Sequence, residues 1–365
     1  MSVIRRNLVD LPINYSLGYY WCRGFILSSF VVFQICTGIV LSFLYVADSV
    51  RRFWVVMRFS REDFCTWCLR YWHVWGVKVL FVLIFLHIGR SLYYSSYCKK
   101  GAWKVGFMLY FLLMAEAFTG YVLPWHQMSY WAATVLTSVI DSLPLFGTIL
   151  YRYVVGGFSV RNVTLVRIFS VHIWLGFVML GGMLLHMFYL HKSGSKNMLF
   201  SFSSFSDLVY FHSYHSSKDF ARVTVVGLVT IFALLYTPNV LLDVERFIEA
   251  DSLRTPVSIK PEWYFLFYYS ILRCIESKLG GLMLIGAFLF FLWLPTFNEA
   301  RVYSFCRQCV FWCIICLFIS LTYLGVCHPE YPYIFICKRF RLIIVVFMFL
   351  FKLLWVVNGK EGRFI

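Results

Sequence analysis

Charge is scarce in this chain. Asp, Glu, Lys and Arg make up 14% of its 365 residues, against about 25% in a soluble globular domain. That shortage excludes the two or three water-soluble domains that length alone would suggest. Acidic residues are the scarcer kind, 17 against 33 basic ones, for a net charge of +16. The basic residues are scattered over loops and form no single patch, so nucleic acid is not the expected partner. Anionic lipid headgroups, such as those of cardiolipin, are. The pattern of a cleavable leader is also missing. The opening MSVIRRNLVDLPINYSLGYYWCR reads as an interfacial lead-in with a Tyr/Trp belt.

What is abundant is apolar sequence: 61% of the residues are hydrophobic. Runs near the 20 residues that cross a bilayer recur, at 25–45, 72–93, 105–123, 169–190, 223–242, 282–295, 309–327 and 342–357. They predict an all-α, polytopic membrane protein with eight transmembrane helices and both termini on one side. Lys and Arg divide almost evenly between the two sides of that layout, so the positive-inside rule gives no orientation.

Twelve cysteines include CxxC at Cys65/Cys68, Cys306/Cys309 and Cys313/Cys316. The first two pairs fall on opposite faces of the eight-span layout and cannot share a zinc. Small buried apolar residues are the favoured reading.

Four histidines stand out. His73 and His87 lie in the second run, His172 and His186 in the fourth, and both pairs are fourteen apart. Four helical turns take about 14.4 residues, so each pair shares one helix face and its members stand roughly 21 Å apart along the axis. The two helices run in the same direction. Packed together, they bring His73 level with His172 and His87 level with His186, at two depths of the bilayer. Two facing imidazoles without a third ligand suit a six-coordinate haem; zinc would need a third or fourth N/S ligand. Glycines repeat the spacing, at Gly24 and Gly38 in the first run and Gly106 and Gly120 in the third, and leave room for a macrocycle edge. Arg70, Arg90 and Arg167 flank the histidines and suit haem propionates. Cys65 and Cys68 are followed by Leu69, so covalent attachment through CxxCH is excluded.

With these spacings, the motifs QICTG at 34–38, GYVLPW at 120–125, PEWYFLFYYSILR at 261–273 and SKLGG at 277–281 make the chain resemble the cytochrome b family. These are the di-haem membrane subunits of respiratory complex III (ubiquinol–cytochrome c oxidoreductase). The resemblance covers nearly the whole chain and implies an N-terminal four-helix bundle (1–221) holding two haems b, and a C-terminal part (222–365) with four spans and the PEWY loop. It implies that His73 and His172 hold the low-potential haem and His87 and His186 the high-potential one. Further implications are quinol oxidation on one face, quinone reduction on the other, and proton translocation by a Q cycle. The resemblance also implies Rieske iron–sulfur protein, cytochrome c1 and other complex III partners, a homodimer of the complex, and a mitochondrial inner membrane location with both termini in the matrix. The chain carries no CxxCH and no recognisable iron–sulfur motif, so the high-potential acceptor is expected on a partner.

The residues implied for quinol oxidation are Glu262, Tyr264 and Tyr269, walled by Phe118 and Phe265. Glu262 sits in an apolar, aromatic loop, where desolvation is expected to raise its pKa into a useful range for a proton acceptor. For quinone reduction the match implies His191 and Asp219, with Ser195, Asn197 and Lys218 nearby; His and Asp can relay protons.

Some positions depart from the family. Lys78 and Glu116 put charge inside spans, and a buried Lys78–Glu116 ion pair is the expectation. His126 and Ala132 stand at family glycines, and Gly176 stands at a family proline. A competing reading from another class is a haem-free proton or ion transporter using the intramembrane His, Lys and Glu as a relay.

Overall fold

The computed structural model describes residues 5–195, 207–294 and 304–357. The expected all-α architecture is present. The long helices are α1 (Arg23–Leu44), α3 (Phe64–Tyr93), α4 (Lys100–Val122), α7 (Asn162–Ser193), α8 (Ser216–Tyr236), α11 (Phe305–Val326) and α12 (Tyr333–Val357). Shorter ones lie between them: α2 (Arg52–Glu62), α5 (Gln127–Asp141), α6 (Gly147–Val155), α9 (Leu266–Arg273) and α10 (Lys278–Trp293).

Among the described residues six helical stretches are long and apolar enough to cross a membrane, and they match expected runs one to five and seven. The sixth run forms α10, with 16 residues. At a 1.5 Å rise that is about 24 Å, short of the roughly 30 Å hydrocarbon core. The eighth forms α12, which starts at Tyr333 and carries Lys338, Arg339 and Arg341 in its first turns.

Helix ends follow local chemistry. Asp63 caps α3, its carboxylate accepting from the Thr66 amide at 2.7 Å. Hydrogen bonds from Thr66 hold the Asp63 carboxyl below its usual range. Ser277 caps α10 through the Gly280 amide at 3.2 Å. Gly156 ends α6 at φ +78°, where a Cβ would strike Val163; glycine alone takes that conformation without cost.

The chain forms two compact units that interleave along the sequence. The first comprises Met1–Leu44, Asp63–Met114 and Leu175–Leu241. Here a short antiparallel pair, β1 (Pro12–Asn14) with β2 (Leu208–Tyr210), ties the lead-in to the segment before α8. Three side chains of α3 hold the chain beyond α8. Tyr71 donates to Asn239 Oδ1 at 2.7 Å, Trp75 Nε1 to the Pro238 carbonyl at 3.0 Å, and Lys78 Nζ to the Leu241 carbonyl at 2.6 Å.

The second unit comprises Tyr45–Glu62, Ala115–Trp174 and Leu242–Ile365. One core gathers Val122, Leu123, Trp125, Ala133, Val155 and Leu165, with Phe118 against it. Another joins α9, α11 and α12 through Phe267, Ile271, Leu321, Leu324, Cys337 and Ile344. Arg273 locks α9 to the end of α11, donating to the Leu324 and Cys327 carbonyls at 2.7 and 2.6 Å.

The cysteine reading needs correction. Cys22, Cys68, Cys274 and Cys337 are buried, but Cys36, Cys65, Cys306, Cys309, Cys313 and Cys316 lie on the surface of the chain. A helix that faces lipid has no reason to hide a small apolar side chain. Cys65 and Cys68 belong to the first turns of α3.

Candidate functional site

In the first unit α3 and α7 place His87 and His186 opposite each other, ring centres 6.4 Å apart and planes inclined at 64°. A ring nitrogen lies roughly 1.2 Å from its ring centre and metal–imidazole bonds are about 2.0 Å, so two imidazoles sharing one iron have centres about 6.4 Å apart. The glycines close the argument. A Cβ on Gly106 would fall 2.7 Å from His186 Cε1, and one on Gly24 3.8 Å from His87 Cε1. The residues fit an axial pair for haem, and among the described residues no group of three or more His, Cys, Asp or Glu could hold a metal instead.

The other two histidines each lie against a spaced glycine within their own unit. In the first, a Cβ on Gly38 would lie 3.2 Å from His73 Cε1, and Thr37 Oγ1 is 2.9 Å from His73 Nδ1. In the second, a Cβ on Gly120 would lie 2.7 Å from His172 Cε1. His172 Nδ1 is 3.2 Å from Thr119 Oγ1, 3.1 Å from the Glu116 carbonyl and 3.3 Å from the Glu116 carboxylate. Engaging Nδ1 fixes the ring and leaves Nε2 for a metal. Lys78 and Glu116 thus each find a partner inside their own unit, a carbonyl for one and an imidazole for the other.

The flanking arginines differ. Arg90 stacks over Trp21 at 5.3 Å, and its Nε is buried without a hydrogen-bond partner among the described residues. Arg70 lies over Tyr71 at 5.6 Å. Arg167 donates to the Tyr153 carbonyl in its own unit.

The PEWY segment lies in the second unit. Glu262 opens the short turn Trp263–Phe265, which leads into α9. Glu262 is buried, and so is Tyr264. Burial pushes the Tyr264 phenol well above its ordinary value, with the nearby Arg246 guanidinium pulling the other way. Tyr264 and Phe265 rings stand 4.7 Å apart, and Tyr269 lies 5.4 Å from the Arg273 guanidinium.

The apolar, aromatic loop expected around Glu262 also holds a cation. Arg246, from the turn Val244–Phe247, forms an ion pair with the Glu262 carboxylate. A contacting cation opposes the desolvation that was expected to govern this acid.

Next to this loop His126 caps α5, its Nδ1 accepting from the Ser129 amide at 3.0 Å. Its backbone forms an isolated bridge with Glu249. An imidazole in place of glycine therefore has a structural task here. Ala132 follows on α5, half-buried.

Of the residues expected to serve quinone reduction, His191 lies in the last turn of α7 and Asp219 in the first turn of α8. Asp219 is buried close to the Cys22 thiol. Lys218 Nζ donates to the Leu17 carbonyl at 3.3 Å and sits 3.9 Å over the Tyr214 ring. Ser195 is exposed beyond the end of α7, and Asn197 lies outside the described residues. Sequence reasoning missed Arg246, Thr37, Thr119 and Cys22. Thr37 and Thr119 each precede a spaced glycine by one residue, a signal that was there to use; Arg246 and Cys22 carry none.

Comparison with known proteins agrees along the chain. Residues 8–194 match the family model described as "Cytochrome b/b6/petB", and residues 249–354 match "Cytochrome b(C-terminal)/b6/petD". The chain is also similar to one in a solved structure described as "Hyperthermophilic respiratory Complex III". The TM-score is 0.88 and the identity 25%, over 98% of this chain and 97% of that one.

Proposed function

The chain belongs to the cytochrome b family, and from that premise we propose that it serves as the catalytic membrane subunit of a quinol–cytochrome c reductase, oxidising ubiquinol on one face and reducing quinone on the other. The observation that carries the reading is the His87–His186 ring spacing of 6.4 Å beside Gly24 and Gly106. Haem b, when bound, supplies one-electron carriage. His87 and His186 are the proposed ligands of one haem; His73 and His172 are the proposed ligands of the other, on spacing and family. Arg70, Arg90 and Arg167 are proposed to meet propionates.

Quinol oxidation releases protons, and Glu262 is proposed to take one from a quinol hydroxyl, with Tyr264 and Tyr269 offering hydroxyls and Phe118 and Phe265 forming walls. His191, Asp219, Ser195, Asn197 and Lys218 are proposed to serve quinone reduction, where protons are taken up. The division at 221/222, the mitochondrial inner membrane, matrix-facing termini, the Rieske and cytochrome c1 partners and a homodimeric complex rest on the family resemblance, and cardiolipin contacts rest on the excess of scattered basic residues.

The test is Glu262→Gln in the purified complex. Losing a general base costs about 10²-fold or more, so quinol oxidation should slow by at least that factor with the haem spectrum unchanged. An unaltered rate would remove Glu262 from the mechanism.

A further inference from the structure

We propose that Arg246 is a positioning residue for quinol oxidation: it holds the Glu262 side chain ionised between turnovers and so resets it as a base. The inference rests on the reading of Glu262 as proton acceptor.

Arg246 is placed by its own turn, which Asp243 caps by accepting from the Glu245 amide at 3.1 Å. Its guanidinium lies 4.7 Å from the Tyr121 ring centre and contacts the Glu262 carboxylate. The two side chains are 11% and 7% exposed, so the charges meet largely out of water. There an uncompensated carboxylate is far more costly than a paired one. The groups around the pair are the phenols of Tyr121 and Tyr264, and Asp243 adds a negative charge near Tyr121. Glu262 itself follows Pro261 in extended backbone at φ −56°, ψ 152°, which fixes where its side chain departs.

The step balances simply. The quinol O–H breaks and a carboxyl O–H forms on Glu262, weakening its bond to Arg246. When that proton leaves to water, the ion pair re-forms and the base is restored. Arg246 neither gives nor takes a proton.

The experiment is the pH dependence of quinol-to-cytochrome c turnover in the whole complex, for wild type, Arg246→Gln, Arg246→Lys and Glu262→Gln, with the haem spectrum as the assembly control. Arg246→Gln should move the acid limb upward by about one pH unit or more, roughly a tenfold loss of turnover on that limb, while Arg246→Lys stays near wild type. If Glu262→Gln removes the limb but Arg246→Gln superimposes on wild type, the Arg246 proposal fails and the Glu262 reading stands. If Glu262→Gln changes neither rate nor limb, the Glu262 reading itself fails. Should Arg246→Gln not assemble, infrared difference spectra of wild type against Glu262→Gln decide. A carboxylate band at neutral pH supports the proposal, and a protonated carboxyl band overturns it.

Discussion

The carboxylate of Glu116 lies 3.3 Å from Nδ1 of His172. A carboxylate behind a ligating imidazole raises the ligand's basicity and favours the more positive metal. Glu116→Gln should therefore raise the midpoint potential of one haem by about 60 mV, a decade in a one-electron equilibrium, and leave the other in place. Potentiometry of the purified complex checks this, and two unmoved potentials would rule it out.

Gly106 has no room for a side chain, since its Cβ would stand 2.7 Å from His186 Cε1. Gly106→Val should cost one of the two haems, read as a halved haem-to-protein ratio. Gly181, on α7 with nothing within 4 Å of a Cβ, provides the control: Gly181→Ala should keep both.

Lys78 is 3% exposed and its ammonium donates to the Leu241 carbonyl. Hydrogen bonds to charged groups contribute about 1.5–3 kcal/mol, so Lys78→Met should lower the thermal midpoint for haem loss while leaving haem content intact at low temperature. An unchanged midpoint would mean the contact contributes nothing.

By the family resemblance Ala132 stands at a glycine position, and its methyl should crowd flat ligands of the proposed quinol pocket. Weak inhibition by methoxyacrylate-type compounds is expected, with Ala132→Gly restoring sensitivity. Nanomolar inhibition of the unmodified complex would refute this.

Much of the fold and the haem framework was legible because helical periodicity is local: fourteen residues return a side chain to the same face, whatever surrounds it. The Arg246–Glu262 pair was not legible. Those residues are joined by an irregular loop, and no period relates them. The Glu116–His172 contact was missed for a similar reason. Glu116 stands one turn along α4 from Gly120, and its side chain spans that turn to reach His172, a reach that residue spacing alone does not show. The short helices α2, α6 and α9 also escaped, since they lie between the apolar runs.

The central claim is that the four spaced histidines hold two haems. Reduced-minus-oxidised spectroscopy with haem quantification, on the complex carrying wild-type chain and then His186→Leu, tests it most directly. The account predicts two b-type haems per chain in the first and one in the second. A chain without b-type haem, or a His186→Leu chain that keeps both, would contradict it.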